Sequence, residues 1–384
     1  MRPSGTGDPR AWLRALDRQA AARERAGLHR TLRPRPAGDE TVDLAGNDYL
    51  GLSRHPAVLA AAGEALARYG LGATGSRLVR GSTEVHATLE RSLAGWLGTE
   101  STLVFSSGYL ANVAAVRALA GPGALLVSDA HNHASIVDGC RTARVEVAVA
   151  PHADPVAVAR LLAERGDRPA VVVTESVFSV DGDLAPLQEL HAACRRYGAV
   201  LLVDDAHAAG VLGPSGAGAV ADAGLAGEPD VVVTVTLSKS FGASGGVVAG
   251  PAGLAAHLVD TGRTFIYDTA LAPAVAAGAL AALDLIRAGD DLRAELAARA
   301  ALAVDRLSGT PVPGPAAGVV SVTAPGPEAA VAWADACRAN GVAVGCFRPP
   351  STPDSRSRLR LTINVGVPRA DFEAALDVVA KCAP

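Results

Sequence analysis

Lysine is almost absent from this chain, because all but Lys239 and Lys381 of its 35 basic residues are arginine. A lysine ammonium can lose its proton in a dry pocket and attack a carbonyl to form a Schiff base, whereas an arginine guanidinium stays protonated. The run SFGASGG follows Lys239, and its glycines let backbone and ligand approach closely. We therefore predict covalent chemistry at Lys239. The alternative is that Lys239, like Lys381 near the C-terminus, merely escaped replacement by arginine.

A lysine of this kind needs an electrophilic carbonyl, and pyridoxal phosphate (PLP) is the common cofactor that supplies one. The pyridine nitrogen of PLP needs an acidic partner that keeps it protonated. Asp204 closes the apolar run AVLLVD and is predicted to be that partner, and His207 is predicted to hydrogen-bond the ring hydroxyl. Taken alone, Asp204 would also fit a residue that caps a turn.

The phosphate of the cofactor needs an anion site. Ser107, Gly108 and Tyr109 follow the run TLVF and open a helical stretch, where backbone N–H groups and the helix dipole converge. Thr236 is predicted to add a hydroxyl. Taken alone, this pattern also fits ordinary helix capping.

A histidine is predicted to cover the cofactor ring. His133, in the segment SDAHNHASIVDG, would stack on the ring face and later move protons. His131 and His133 would also suit a metal pair, but no third ligand is evident nearby, so no metal is predicted.

One motif suggests a different class of enzyme. Gly242-Ala-Ser-Gly-Gly246 matches the nucleophile elbow of serine hydrolases, with Ser244 as nucleophile. That elbow needs a helix after the serine, whereas VVAG follows here, and the only later histidine is His257. We therefore consider the serine hydrolase hypothesis less well supported than the hypothesis of a PLP-dependent enzyme.

Short apolar runs alternate with helical stretches and must position these residues. The runs are apolar throughout, which favours strands buried on both faces, and the helices between them imply parallel crossovers. We predict an α/β fold with a mostly parallel, doubly wound sheet that binds its ligand at the carboxyl ends of the strands. The predicted strands are TLVF (102–105), ALLVS (124–128), VEVAVA (145–150), AVVVTES (170–176), AVLLVDDAH (199–207) and VVVTVTL (231–237).

Three parts are predicted along the 384 residues. Residues 1–45 form an arm with an arginine-rich amphipathic helix at about 9–27, which packs on one of the other two parts. Residues 46–285 form the large cofactor-binding domain. Residues 286–384 form a smaller α+β domain, because helices there alternate with the strands GVVSVTA, VAVGCF and RLRLTIN.

The composition of the chain limits the kinds of partner that it can bind. A formal net charge of −4 gives no positive surface of the kind that binds nucleic acid or an anionic membrane. No apolar run is long enough to span a membrane, and the start of the chain lacks the apolar core of a signal peptide. The five cysteines form no CxxC pair, which argues against a zinc site or a disulfide framework. We expect a cytoplasmic protein without nucleic-acid or membrane partners.

Ordered blocks from about residue 12 to about residue 380 resemble the PLP-dependent α-oxoamine synthase family, within the fold type I aminotransferase-like superfamily. The closest resemblance is to the branch that forms 8-amino-7-oxononanoate in biotin biosynthesis. The matching blocks are AGLHR (26–30), NDYLGLSRHP (47–56), GATGSRLVRGSTEVHATLE (72–90), FSSGYLAN (105–112), TESVFSVDGD (174–183), VDDAH (203–207), TLSKSFGASGG (236–246), FIYDTALAP (265–273), and CFRPPSTP (346–353) with RLRLT (358–362).

The resemblance implies a role for each matching residue. The implied catalytic residues are Lys239, His133, His207 and Asp204. The implied cofactor contacts are these four together with Ser107, Gly108, Tyr109, Ser179, Thr236 and Thr269, of which Thr269 reaches the phosphate of a neighbouring subunit in a homodimer. The implied substrate contacts are Arg360 on the amino-acid carboxylate, Asn47, Glu175 and His133 nearby, and Arg30 and Ser351 on the acyl substrate.

The implied reaction is a decarboxylative condensation of L-alanine with a pimeloyl thioester, carried by coenzyme A or by acyl carrier protein, and it releases carbon dioxide and free thiol. Ser351 stands where many relatives have threonine, and Ser355-Arg356-Ser357 replaces a glycine-containing turn. Both departures lie in the acyl-binding segment, so another acyl thioester, with glycine or alanine, remains an alternative. A protein that binds the cofactor without turnover is a further alternative, which the intact set of catalytic residues opposes.

Overall fold

The computed structural model describes residues 8–307, 316–352 and 354–384. Residues 1–7 of the predicted arm, 308–315 of the predicted small domain and Pro353 of the CFRPPSTP block lie outside them. The strands are β1 (Val42–Leu44), β2 (Ser101–Phe105), β3 (Leu125–Asp129), β4 (Glu146–Ala150), β5 (Ala170–Glu175), β6 (Val200–Asp204), β7 (Val231–Thr236), β8 (Gly246–Gly250), β9 (Val319–Thr323), β10 (Val342–Phe347) and β11 (Arg358–Thr362).

The helices are α1 (Ala11–Arg25), α2 (Pro56–Tyr69), α3 (Glu84–Leu97), α4 (Gly108–Leu119), α5 (Ala134–Ala143), α6 (Pro155–Glu164), α7 (Leu187–Tyr197), α8 (Ala219–Asp222), α9 (Ala252–Thr261), α10 (Arg263–Ile266), α11 (Pro273–Arg287), α12 (Asp290–Arg306), α13 (Pro327–Ala339) and α14 (Arg369–Lys381). In the described ranges, no helix is both long enough and apolar enough to cross a membrane.

A seven-stranded sheet has the order β2-β8-β7-β6-β5-β3-β4. Neighbouring strands from β7 to β4 are parallel, and β8 lies antiparallel between β2 and β7. Every residue of β5 and β7 is buried, as expected for valine-rich strands covered on both faces. The predicted α/β class with a mostly parallel sheet is confirmed.

Two strands of the large sheet differ from the expectation. The run VEVAVA was expected to be buried on both faces, but β4 is the edge of the sheet and Val149 is 65% exposed. An edge strand has one hydrogen-bonded neighbour, so solvent reaches it. The segment GVVAG was not predicted as a strand, yet it forms β8, because glycines at both ends of a strand look like turn residues in sequence.

The small sheet has the order β1-β10-β11-β9. Its first strand comes from the predicted arm and pairs in parallel with β10, with Val42 opposite Val342. Arg33 of the same arm forms an ion pair of 2.5 Å with Asp335 on α13. The arm therefore packs on the C-terminal part of the chain, which resolves the two possibilities that the sequence left open.

The loop after β5 connects the two sheets. Arg358 of β11 donates to Asp181 over 2.7 Å, and Arg360 donates to the backbone oxygen of Ser179 over 2.7 Å. Gly182 in this loop has φ of 77°, and a Cβ there would lie 2.5 Å from the backbone oxygen of Val319 on β9. Only glycine allows this approach, so the loop holds β9 and β11 against the carboxyl ends of the large sheet.

Candidate active site

A cavity of about 460 Å³ lies at the carboxyl ends of the parallel strands, where β10 and β11 approach them. All but three of the predicted site residues line it: Asn47, Ser107, Gly108, Tyr109, His133, Glu175, Ser179, Asp204, His207, Thr236, Lys239 and Arg360. Most of these residues end or follow strands of the large sheet, where this fold type binds its ligands, whereas Asn47 follows β1 and Arg360 lies on β11 of the small sheet.

Lys239 lies three residues beyond the end of β7, and its side chain faces the cavity. Although the open cavity leaves part of the side chain exposed, protein atoms surround the amine. Burial lowers the pKa of Lys239 to about 8, opposed by the carboxylates of Asp204 and Glu175. An amine with this pKa is a good proton acceptor near neutral pH.

Asp204 and His207 stand at the end of β6, and both are buried. Asp204 accepts hydrogen bonds from the backbone N–H of Ala206 over 3.1 Å and from Asn112 Nδ2 over 2.7 Å. The Tyr49 hydroxyl lies 2.5 Å from His207 Nδ1. Burial lowers the pKa of His207 well below its usual value and raises the pKa of Tyr49, so both groups are neutral near pH 7.

The predicted phosphate site forms at the start of α4. Ser107 is the N-cap, and its hydroxyl accepts from the backbone N–H of Leu110 over 3.2 Å. A Cβ on Gly246 would lie 2.3 Å from the backbone oxygen of Ser107, so this glycine lets β8 approach the start of the helix. Thr236 and Ser238 place two hydroxyls 2.7 Å apart beside it. Hydroxyls and helix N–H groups at one point form an anion site.

His133 is the N-cap of α5, where its Nδ1 accepts from the backbone N–H of Ser135 over 3.2 Å. Its ring faces the cavity. His131 turns away and stacks on His152, with ring centroids 3.8 Å apart. The two histidines thus have separate partners and do not form the metal pair considered from the sequence.

Arg360 crosses from β11 to the cavity. Its guanidinium donates to Ser179 O over 2.7 Å and to Asn47 Oδ1 over 2.9 Å, and its centre lies 4.5 Å from the centroid of the Phe347 ring. The Nε group is buried and has no hydrogen-bond partner among the described residues. An unpaired guanidinium N–H beside a cavity is suited to bind a carboxylate.

Glu175 is buried at the end of β5, and its Oε2 accepts from the backbone N–H of Ser179 over 3.1 Å. Burial raises the pKa of Glu175 to about 8, with the charge of Asp204 adding to the effect. Oε1 has no hydrogen-bond partner among the described residues. Near neutral pH the side chain is therefore largely protonated, and it can donate a hydrogen bond as well as accept one.

Three predicted residues do not line the cavity. Arg30 Nη2 donates to Ser351 Oγ over 3.0 Å, and both line a separate cavity of about 100 Å³ that also borders Phe347. Thr269 is exposed, and the preceding Asp268 binds the hydroxyl of Ser106. Tyr109 lines the main cavity, but its hydroxyl donates to Asp138 over 2.5 Å, which leaves its backbone N–H for the predicted phosphate contact.

Several residues of the site were missed by the sequence analysis: Tyr49, Asn112, Ser135, Thr234, Ser238 and Phe347. Asn112 ends the block FSSGYLAN, one helical turn after Gly108, and that spacing was the available signal. Tyr49 lies within NDYLGL, but nothing in that block indicates a partner 158 positions away.

The predicted cofactor fits this set of residues. The amine of Lys239 and the carboxylate of Asp204 suit the carbonyl and the ring nitrogen, and the α4 start suits the phosphate. A Cβ on Gly108 would lie 3.0 Å from Thr236, so this glycine keeps the start of the helix accessible. Strand β8, rather than a helix, follows Ser244, so the structure has no nucleophile elbow there.

Comparisons with known proteins identify the family of this chain. The family of class I and II aminotransferases matches residues 39–379. An 8-amino-7-oxononanoate synthase from Mycolicibacterium gilvum (strain PYR-GCK) is 53% identical over 96% of this chain and 95% of that protein. A solved serine palmitoyltransferase from S. paucimobilis, with bound PLP–myriocin aldimine, is 28% identical with a TM-score of 0.89 over 98% of each chain.

The solved 8-amino-7-oxononanoate synthase from Francisella tularensis is 26% identical with a TM-score of 0.76, over 89% of this chain and 98% of that one. The chain therefore belongs to the class I and II aminotransferase family and, within it, to the 8-amino-7-oxononanoate synthase family.

Proposed function

We propose that this chain is a cytoplasmic, homodimeric, PLP-dependent enzyme that condenses L-alanine with a pimeloyl thioester. The products are 8-amino-7-oxononanoate, carbon dioxide and free thiol, and the pathway is biotin biosynthesis. Family membership supports this class of reaction. The single observation that carries the proposal is that Lys239, Asp204 and Arg360 line one cavity, in which burial lowers the pKa of the Lys239 amine to about 8.

The cofactor, when bound, supplies an electron sink for the carbanion at the amino-acid Cα. Lys239 would hold the cofactor, and its amine would accept the Cα proton of the amino acid. Asp204 would accept a hydrogen bond from the ring nitrogen and keep it protonated. His207, held by Tyr49, stays neutral and would offer a hydrogen bond to the ring hydroxyl. His133 would cover the ring face and exclude water from it.

Arg360 binds the carboxylate of alanine through its unpaired Nε, and Asn47 fixes the guanidinium in place. Glu175 donates a hydrogen bond to the same carboxylate while it is protonated. These contacts with the carboxylate orient it toward Arg360 and orient the Cα–H bond toward the amine of Lys239. The orientation of the Cα–H bond is needed because Lys239 must reach the Cα proton, and the carboxylate leaves as carbon dioxide only after the condensation.

The acyl chain is assigned to the cavity beside Phe347. Arg30 and Ser351, hydrogen-bonded over 3.0 Å, would bind the distal carboxylate of a pimeloyl group. This pair also supports the second candidate, another α-oxoamine synthase, because Ser351 and the turn at 355–357 depart from the family pattern. The likeness to a serine palmitoyltransferase, with a TM-score of 0.89, is compatible with a different acyl thioester as well.

The test is product analysis with four substrate pairs: alanine or glycine, each with pimeloyl-CoA or a pimeloyl-acyl carrier protein. We expect 8-amino-7-oxononanoate by mass spectrometry, with alanine preferred over glycine at least about tenfold in kcat/KM, and no product from Lys239→Ala. The visible absorption of bound cofactor is recorded on the same samples. A protein that binds PLP but prefers glycine, or that condenses neither amino acid with a pimeloyl thioester, favours the second candidate, and a protein that binds no PLP contradicts both.

A further inference from the structure

Three buried polar side chains, Asn112 on α4, Ser135 on α5 and Thr234 on β7, meet at the floor of the active-site cavity. They are 4%, 0% and 1% exposed. The proposed reaction gives none of them a part. Buried polar groups cost stability unless they are paired, so their partners indicate what they do.

Asn112 is the centre of this group. Its Nδ2 donates to Asp204 Oδ2 over 2.7 Å and to Ser135 Oγ over 2.9 Å, and its Oδ1 accepts from Thr234 Oγ1 over 2.5 Å. A carboxylate only accepts hydrogen bonds, so the NH2 group of the amide must face Asp204. Thr234 then holds the amide in that orientation from the opposite side.

Ser135 extends the connection to His133. Its hydroxyl accepts from Asn112, and its own proton is directed at His133 Nδ1, which is 2.7 Å away. The backbone N–H of Ser135 also points at Nδ1, over 3.2 Å. A backbone N–H only donates, so Nδ1 carries a lone pair and the ring proton lies on Nε2.

We propose that Asn112 is a positioning residue that holds the Asp204 carboxylate and, through the Ser135 hydroxyl, the His133 ring as one hydrogen-bonded unit. The unit sets the direction of the carboxylate that meets the ring nitrogen, and it turns the Ser135 hydroxyl toward Nδ1 of the histidine that covers the ring. The role toward the cofactor rests on the proposed function, whereas the hydrogen bond from the Ser135 hydroxyl to His133 is a property of the chain itself.

The test compares Asn112→Leu with the wild type, as full-length protein with and without PLP. We expect the dissociation constant for PLP to rise at least about tenfold, because Asp204 loses its fixed orientation. We also expect the Nδ1 signal of His133, in protein with 15N-labelled histidine, to shift, because the Ser135 hydroxyl loses the donor that turns its proton toward Nδ1, while the backbone N–H of Ser135 keeps the ring proton on Nε2. His133→Asn identifies this signal among the nine histidines.

Thr234→Val provides a milder change, and Thr102→Val is its matched control. Both threonines are buried on strands of the large sheet, and Thr102 donates to the backbone oxygen of Glu90 over 2.7 Å, away from the unit. We expect Thr234→Val to shift the His133 signals and weaken PLP binding, and Thr102→Val to do neither.

The inference is overturned if folded Asn112→Leu keeps the wild-type His133 signals or the wild-type PLP affinity. If Asn112→Leu does not fold, Thr234→Val and Ser135→Ala decide by the same two criteria. A chain that fails to condense alanine with the pimeloyl thioester, yet shows these shifts, contradicts the proposed function and leaves the unit intact.

Discussion

Lys239 is the residue on which the proposed chemistry depends, and the chain supplies a matched control in its other lysine. Lys239→Arg keeps a positive charge but removes an amine in the cavity that can lose its proton near neutral pH. We expect kcat to fall at least about 1000-fold, since a nucleophile and a base are lost together. Lys381→Arg, at the end of α14, should retain wild-type activity. Lys239→Arg activity above about a tenth of the wild type would contradict the assignment.

Arg360 is predicted to set the affinity for the amino acid. Arg360→Lys removes the planar group that joins Asn47, Ser179 and the substrate carboxylate, so we expect the KM for alanine to rise about 10- to 100-fold with a smaller change in kcat. Steady-state kinetics at saturating thioester measure the two values.

Arg358→Lys is the control on the same strand, because Arg358 is bound to Asp181 and Asp354. We expect this variant to lower the melting temperature and to leave the KM for alanine near its wild-type value. An equal rise in KM for both variants would mean that the arginines act on the loop and not on the substrate.

Site residues were predictable from the sequence where the chemistry itself requires a particular side chain. Lys239, Asp204 and His207 each follow an apolar run, and the cavity brings them together as predicted. Tyr49 and Asn112 were not predictable as site residues, because their role is to orient another side chain from a distant part of the chain. Such a role has no local sequence signal.

At the scale of the elements, β8 and α4 meet through two glycines. A Cβ on Gly246 would lie 2.3 Å from Ser107 O and 2.6 Å from Gly108 Cα, so Gly246→Ala must push the start of α4 away from the sheet. We expect the dissociation constant for PLP to rise about tenfold and the free energy of unfolding to fall by about 1–3 kcal/mol.

Gly253→Ala is the control for that glycine. It lies in α9, and a Cβ there would have nothing within 4 Å. Alanine in a helix is favoured over glycine by about 0.5–1 kcal/mol, so this variant should be slightly more stable and bind PLP normally. Wild-type PLP affinity in Gly246→Ala would show that the anion site does not depend on the approach of β8 to α4.

His152 attaches the loop after β5 to the large sheet. It lies 3.0 Å from Asp129 Oδ1 and 2.8 Å from Asp183 Oδ2. Burial acts to lower its pKa, but the hydrogen bonds to both carboxylates prevail and raise the pKa of His152 to about 9. This exceeds the unfolded value of about 6.5, so the stabilisation is complete below about pH 6.5 and is lost as the pH rises through about 9.

We therefore expect His152→Asn to cost about 1–2 kcal/mol of unfolding free energy at pH 6 and almost nothing at pH 10, allowing for the partial exposure of the ring. Urea unfolding of both proteins at a series of pH values measures the difference. A difference that is constant across pH would show that His152 contributes by packing against Phe178 and His131 instead of by charge.

The long, buried strands were easier to predict from the sequence than the short or exposed ones. The central strands β5, β6 and β7 are long apolar runs, and they lie where expected. The exceptions are short, rich in glycine or at an edge: β1 has three residues within a polar linker, β8 begins and ends with glycine, and β4 is at the sheet edge. Strand position in a sheet depends on pairing across the chain, which hydrophobic periodicity does not record.

For the whole molecule, an exposed apolar surface beside the cavity bears on the predicted homodimer. Leu78 and Val79, in the π-helical turn Arg77–Gly81, are 52% and 83% exposed, and Tyr267 is 71% exposed. The backbone of Ala270 donates to Gly75 O over 3.0 Å, which keeps the two segments together. Large exposed apolar side chains that cluster in this way mark protein interfaces. The exposed Thr269 precedes Ala270 in the second segment, where a partner subunit would have access to it.

If this surface is the dimer interface, a charged residue at Val79, its most exposed position, must weaken dimer formation. It must then also weaken cofactor binding at any site to which both subunits contribute residues. We expect Val79→Glu to shift the protein from dimer to monomer in sedimentation equilibrium and to weaken PLP binding in the same concentration range, because burying an unpaired carboxylate is costly. Val156→Glu is the control, since Val156 is 78% exposed in the first turn of α6, away from the cavity. A Val79→Glu protein that remains dimeric with wild-type PLP affinity would place the interface elsewhere. A monomer that binds PLP normally would mean that one subunit holds the whole cofactor site and that Thr269 has no part in it.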